Sequence, residues 1–204
     1  MKIIEYFTAE NKEYWLNEIG KSDWDAGQYL YRLLRKNSLK RMVGETALVP
    51  MLVDGDKLIA FCTFAPLDDI QPTTLSPWIG FAYTFPQYRG HRYLGLLLDY
   101  AECIATIMGR EYIYISTGHT GLYEKYGYEF FKMDQDIGGE DSRVYCKALT
   151  VDGPDKDRRS ENGVEDVVLH LTAVLMAHFL KWENVLMQPV VRRRELMGVM
   201  NVKI

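Results

Sequence analysis

Apolar and polar positions change period several times along the chain, and each change marks an expected element. "KIIEYF", Lys2 to Phe7, is short and rich in β-formers. "NKEYWLNEIG" and "AGQYLYRLLRKN" follow. In the second, Tyr29, Leu30, Leu33 and Leu34 share one face at helical spacing. Two helices are expected, broken between Gly20 and Asp25. "ETALVPMLVDGDKLIAFCTFAPL" then places Asp54-Gly55 between two apolar runs, a hairpin signal because glycine accepts positive φ without penalty.

A loop, "DDIQPTTLSP", leads to a strand, "WIGFAYTF". "FPQYRGHRYLGLLLDYAECIA", Phe85 to Ala105, turns into a helix whose Leu94, Leu97, Leu98, Ala101, Ala105 and Met108 fall at helical spacing. That spacing points Leu94 into the core. After Gly109 come a strand "EYIYIS", a short helix "TGLYEKYG", a strand "YEFFKM" and, beyond glycines and acids, a last strand "RVYCKAL". The order β-α-α-β-β-β-α-β-α-β-β describes a mixed α/β domain over residues 1–150.

Residues 151–204 read as a linker, "VDGPDKDRRSENG", and a helical C-terminal extension. Its main helix, "VVLHLTAVLMAHFLKW", is apolar nearly all round and needs burial. Packing on the first domain and packing on a second subunit, which would make a homodimer, both remain open. A shorter helix is expected around "VVRRRELMGVM", with Arg192 to Arg194 as a solvated face.

Composition narrows the class. At 204 residues, 48% hydrophobic and 25% charged, the chain is that of a soluble protein with one good core. A net charge of −4 argues against general affinity for nucleic acid. Cys62, Cys103 and Cys146 are widely spaced within apolar runs, with no metal-ligand spacing, and read as buried thiols in a reducing compartment. The N-terminus lacks the apolar core of a signal peptide, and Val167 to Trp182 falls short of the roughly 20 residues a membrane span needs. The expectation is a cytoplasmic protein that engages neither membrane nor nucleic acid.

The chemistry gathers at "QYRGHRYLG". A turn that enters a helix N-terminus meets unpaired N–H groups and partial positive charge, so it can cradle a pyrophosphate. The turn is not a Walker loop, which ends Gly-Lys-Ser/Thr, nor a dinucleotide fingerprint. Taken alone, a plain strand-to-helix turn reads equally well.

"PWIGFAYTFPQYRGHRYLGLLLDYAE" followed by "GLYEKYGYEFF" resembles the GNAT N-acetyltransferase superfamily, over roughly the first three-quarters of the chain. The resemblance implies a mixed, mostly antiparallel sheet flanked by helices. It also implies acetyl-CoA as co-substrate, no metal, and transfer of acetyl to a primary amine by direct attack on the thioester. The family turn runs Arg/Gln-x-x-Gly-x-Gly/Ala. Here Arg89 takes the first position, while Arg92 and Leu94 stand on the two small ones with Gly90 and Gly95 beside them. The pyrophosphate site is thus expected at Arg89, Gly90, His91, Arg92, Tyr93, Leu94 and Gly95, with Arg92 adding a charged contact.

The resemblance further places the pantetheine arm along the backbone of Ala82, Tyr83 and Thr84, which also supplies the oxyanion donor. Ser116 stands where the family has an asparagine on that arm, and His119 where it has an alanine. Tyr123, in "LYEKYG", would protonate the departing thiolate. From the residues alone, Tyr123 is equally an aromatic packed on the sheet, and His119 a local hydrogen bonder.

Asp68 and Asp69 are candidates to take the proton of the amine, whose ammonium form has pKa near 10.4. They could instead hold a cationic substrate or solvate a turn. Glu45 is a further candidate base. Trp24, Tyr29 and Tyr31 are candidates for an aromatic wall, although Tyr29 also lies on the apolar stripe expected in the core. The acceptor would be a small-molecule or peptide amine. The alternative reading is a non-catalytic GNAT-fold acyl-CoA sensor or interaction module.

Overall fold

Gly55 takes φ +60, and around it β2 (Pro50–Asp54) returns antiparallel as β3 (Lys57–Ala65) in the computed structural model, which describes residues 1–149. Every residue of β3 after Lys57 is buried. A strand covered on both faces needs apolar residues without alternation, which is what "LIAFCTFA" provides. On one face, Phe61 and Ala65 join a core built with Leu16, Ile19, Leu30 and Leu34. Strand alternation leaves the other face to the long helix α4 (Tyr93–Ile107), which packs against β2, β3, β4 and β5.

The remaining elements follow the apolar pattern closely. β1 (Lys2–Glu5) precedes α1 (Lys12–Ile19), α2 (Asp25–Arg35) and α3 (Leu39–Val43). β4 (Trp78–Thr84) leads into α4, and β5 (Tyr112–Thr117), β6 (Glu129–Gln135) and β7 (Asp141–Ala148) complete a seven-stranded sheet of order β1-β2-β3-β4-β5-β7-β6. All neighbours are antiparallel except β4 and β5. The sheet is therefore mixed and mostly antiparallel, flanked by helices, as expected.

Local readings needed correction. Helix α3 has only five residues and was not anticipated, because so short an element shows no period. "TGLYEKYG" forms a single 3-10 turn, Tyr123–Tyr126, rather than an α-helix. Tyr29 is 40% exposed, not core. Leu30 and Leu34 hold the centre of the stripe, and Tyr29 lies at its rim, 6.3 Å from the Phe81 ring and with Arg32 over its own ring. Met108 sits past the end of α4 as its C-cap. The expected helical extension over 151–204 lies outside the described residues.

Candidate active site

The site begins with an irregularity in β4. Phe61 pairs with Tyr83 and Thr63 with Gly80, so Phe81 and Ala82 together oppose Cys62. This is a β-bulge, and Phe81 takes φ +49 to make it. Beyond the bulge β4 and β5 part. Their parallel pairing is confined to Trp78↔Tyr114 and Ile79↔Ile115, while β4 continues to Thr84 and β5 to Thr117. The gap opens into a cleft of about 940 Å³.

Cleft residues come from both sides of the gap. Ala82, Tyr83 and Thr84 line it from β4, and Ser116 from β5. Arg89, Gly90, Arg92, Tyr93 and Leu94 line it from the turn into α4. No side chain caps the start of α4; the Gly95 N–H donates to the Arg92 carbonyl at 2.9 Å, which leaves the N–H groups of Tyr93 and Leu94 for a ligand. Arg92 occupies the N-cap at φ +58, a left-handed conformation that explains why a small residue would be favoured there. Leu94 is half-buried and faces the cleft, not the core, because it lies in the first helical turn beside the opening. His91 is exposed, and Gly95 is buried one turn into α4; neither lines the cleft.

The two arginines of the turn are already engaged. Arg89 donates through Nε to the Thr84 carbonyl at 3.0 Å, and its guanidinium lies over the Tyr83 ring and 3.8 Å from Asp23. Arg92 donates through Nη2 to the Lys125 carbonyl at 3.0 Å. Tyr83 donates its hydroxyl proton to Asp23, and Trp24 stacks on the Tyr83 ring. The loop between α1 and α2 is thereby held against β4, with Asp23 and Trp24 in the cleft wall. Tyr29 and Tyr31 are not part of that wall.

Tyr123 reaches the cleft from the 3-10 turn and is only 5% exposed. Burial pushes its phenol well above the ordinary value, with the negative charge available to Cys62 and Asp68 adding to the effect. It therefore stays protonated through the physiological range, in the form that donates. Tyr126, also buried, meets α4: a Cβ at Gly95 would lie 2.9 Å from Tyr126 Cε1.

The adjacent aspartates have separate environments. Asp69 lines the cleft, and its Oδ1 is buried without a hydrogen-bond partner. Burial raises its pKa, opposed by the Ser116 hydroxyl and assisted by the charge of Asp136. Asp68 is not a lining residue. It is buried with its carboxylate over Gly80, and burial, followed by the charge of Asp69, pushes it up to about 8. Glu45 is exposed and outside the cleft.

The sequence reading missed the acidic group in the cleft lining. Asp136 and Glu140, from the turn between β6 and β7, and Asp141, the first residue of β7, line it with Asp69. Ile137 N–H donates to the Asp69 carbonyl at 2.8 Å and ties that turn down. Ser142, on β7, shares a 2.8 Å hydrogen bond with Ser116. The signal was present in "DQDIGGEDS", which read only as a connection. The lining thus brings arginines and a helix N-terminus from the turn into α4 together with a group of carboxylates, Asp69, Asp136, Glu140 and Asp141, while Asp23 lies beside Arg89.

No protein-family model matches the sequence, and no curated protein matches it either. Solved structures match through their fold. The aminoglycoside 6'-N-acetyltransferase from Enterococcus faecium aligns over 74% of this chain and 98% of its own, with TM-score 0.54 and 16% identity. A GNAT family acetyltransferase from Elizabethkingia anophelis, with acetyl-CoA bound, aligns over 72% and 97%, with TM-score 0.51 and 13% identity. The fold is that of the GNAT acetyltransferases. An acetyltransferase from Streptococcus agalactiae gives the same match, with TM-score 0.52 and 19% identity over 72% of this chain and 98% of that one. Within the GNAT fold, the bulged β4, its departure from β5 and the turn into α4 are the features that make the cleft. Among the described residues, no cluster of histidine, cysteine or acidic side chains is arranged to hold a metal, and no helix is long and apolar enough to cross a membrane.

Proposed function

We propose that this chain is an acetyl-CoA-dependent N-acetyltransferase acting on a primary amine. The observation that carries the reading is the convergence of the uncapped start of α4, the open edge of β4 and the buried phenol of Tyr123 on one cleft. The pyrophosphate would rest on the first N–H groups of α4, with Arg89 turning from Asp23 to meet it. The pantetheine amides would pair with Ala82, Tyr83 and Thr84, filling the gap between β4 and β5.

The amine nitrogen attacks the acetyl carbonyl carbon, and backbone N–H groups of β4 steady the oxyanion. As the C–S bond breaks, the sulfur takes the Tyr123 proton, and the phenolate is reprotonated from solvent. Asp69, a cleft carboxylate with a raised pKa, accepts the proton of the amine directly or through water. The carboxylates of Asp136, Glu140 and Asp141 favour a cationic acceptor. Aminoglycosides, named for the Enterococcus faecium neighbour, and polyamines therefore belong first in a panel.

The test is calorimetric titration with acetyl-CoA, with CoA and pantetheine as controls, followed by detection of released thiol across the amine panel. Phosphate-dependent binding with amine-dependent thiol release is expected. Binding without release from any amine would favour an acyl-CoA sensor. No binding at millimolar concentration would overturn both readings.

A further inference from the structure

The turn that carries Tyr123 presents five successive carbonyls, Leu122 to Tyr126, whose closure can be followed one by one. Three are closed by backbone: Lys125 N–H donates to Leu122 O at 3.3 Å, Tyr128 N–H to Tyr123 O at 3.2 Å and Gly127 N–H to Glu124 O at 3.1 Å. The last two are closed by cationic side chains from outside the turn. Arg92 Nη2 donates to Lys125 O at 3.0 Å, and Lys147 Nζ donates to Tyr126 O, also at 3.0 Å. The final carbonyls of a helical turn have no internal partner and carry partial negative charge, so cations are favoured there.

Arg92 is the unusual member. It precedes α4 at φ +58, a left-handed conformation that side chains other than glycine adopt only under strain. What glycine could not supply is the reach. The Arg92 guanidinium spans from the turn before α4 to Lys125 and lies 5.5 Å from the centre of the Tyr126 ring. Gly95 allows the same two segments to touch at Tyr126. The phosphate-type turn and the Tyr123 turn are therefore braced together twice, once by a hydrogen bond and once by close packing.

We propose that Arg92 is a positioning residue for Tyr123: by holding the Lys125 carbonyl it fixes the turn that places Tyr123 in the cleft wall. The catalytic consequence rests on the acetyltransferase reading; the brace itself does not. Arg92→Gly suits the left-handed backbone and removes the brace, and Arg92→Lys restores a donor of similar reach.

The experiment compares both variants after labelling with 3-fluorotyrosine, the Tyr123 fluorine resonance being assigned by its loss in Tyr123→Phe. Arg92→Gly should shift or broaden that resonance, and Arg92→Lys should return it towards the wild-type position. In turnover, Arg92→Gly should lower kcat about tenfold while KM for acetyl-CoA stays within about twofold, and it should add little to Tyr123→Phe. An unmoved Tyr123 resonance overturns the proposal. So does a raised KM with unchanged kcat, which would assign the guanidinium to phosphate instead. A wild-type chain that neither binds nor consumes acetyl-CoA would sink the acetyltransferase reading, while the fluorine comparison would still decide the brace.

Discussion

Asp68 lies so close over Gly80 that a Cβ added to the glycine would fall 2.7 Å from Oδ1. The neighbour is a buried carboxylate on a short side chain, with little room to withdraw. Gly80→Ala is expected to destabilise the fold by about 1–3 kcal/mol, the usual cost of overpacking. Chemical denaturation measures it. A variant as stable as the parent would mean that the Asp68 loop yields freely.

Folding raises the Asp68 carboxyl from an ordinary 3.8 to about 8. Between those values the native protein keeps a proton that the unfolded chain has released, so stability falls as pH rises through the window and levels off above it. Asp68→Asn preserves the shape over Gly80 and removes that titration. The urea midpoint of the parent should fall more steeply from about pH 4 to about pH 8 than that of the variant. Parallel curves would place the carboxyl in a wetter site.

Tyr123→Phe removes the buried phenol that lines the cleft. Loss of a general acid typically costs about 100-fold or more in rate. Turnover should fall by about that factor, with acetyl-CoA affinity nearly unchanged, as steady-state kinetics beside calorimetry would establish. Unchanged turnover removes Tyr123 from the mechanism.

The raised pKa of Asp69 has an observable sign. A base must be ionised to accept a proton, so activity should be lost as pH falls through that raised value. Asp69→Asn should depress kcat/KM about 100-fold at neutral pH and abolish the Asp69-dependent part of the acid limb. A pH profile of the same shape in the variant would assign the limb to another group.

Lys147 and Glu102 meet at 2.7 Å, with side chains 22% and 4% exposed. Removing one partner of a buried pair strands the other charge, so Lys147→Met should cost about 3 kcal/mol. Lys147→Met combined with Glu102→Leu should recover part of that loss in thermal or urea unfolding. No recovery would locate the cost in the Tyr126 carbonyl that Lys147 also holds.

The sequence disclosed what depends on side-chain period and missed what depends on backbone path. Leu97, Leu98 and Ala101 announced the buried face of α4, and Asp54-Gly55 announced its hairpin. Nothing about Phe81 as a residue type announced a positive φ, because the bulge is imposed by pairing with β3. Arg92 was legible as a charge beside a phosphate-type turn, but its bond to Lys125 spans 33 positions and leaves no local pattern. Asp68 and Asp69, neighbours in sequence, proved unlike in setting for the same reason: burial is a property of the fold.

In mechanical terms, the sheet is two plates on a short hinge. β1 to β4 form one plate and β5, β7 and β6 the other, with Trp78↔Tyr114 and Ile79↔Ile115 as the paired residues between them and α4 as a strap across the join. A flat molecule lodged beyond Ile79 would be more than cargo. By pairing with both exposed edges it would carry load that the backbone leaves uncarried, and the occupied protein would be the stiffer object.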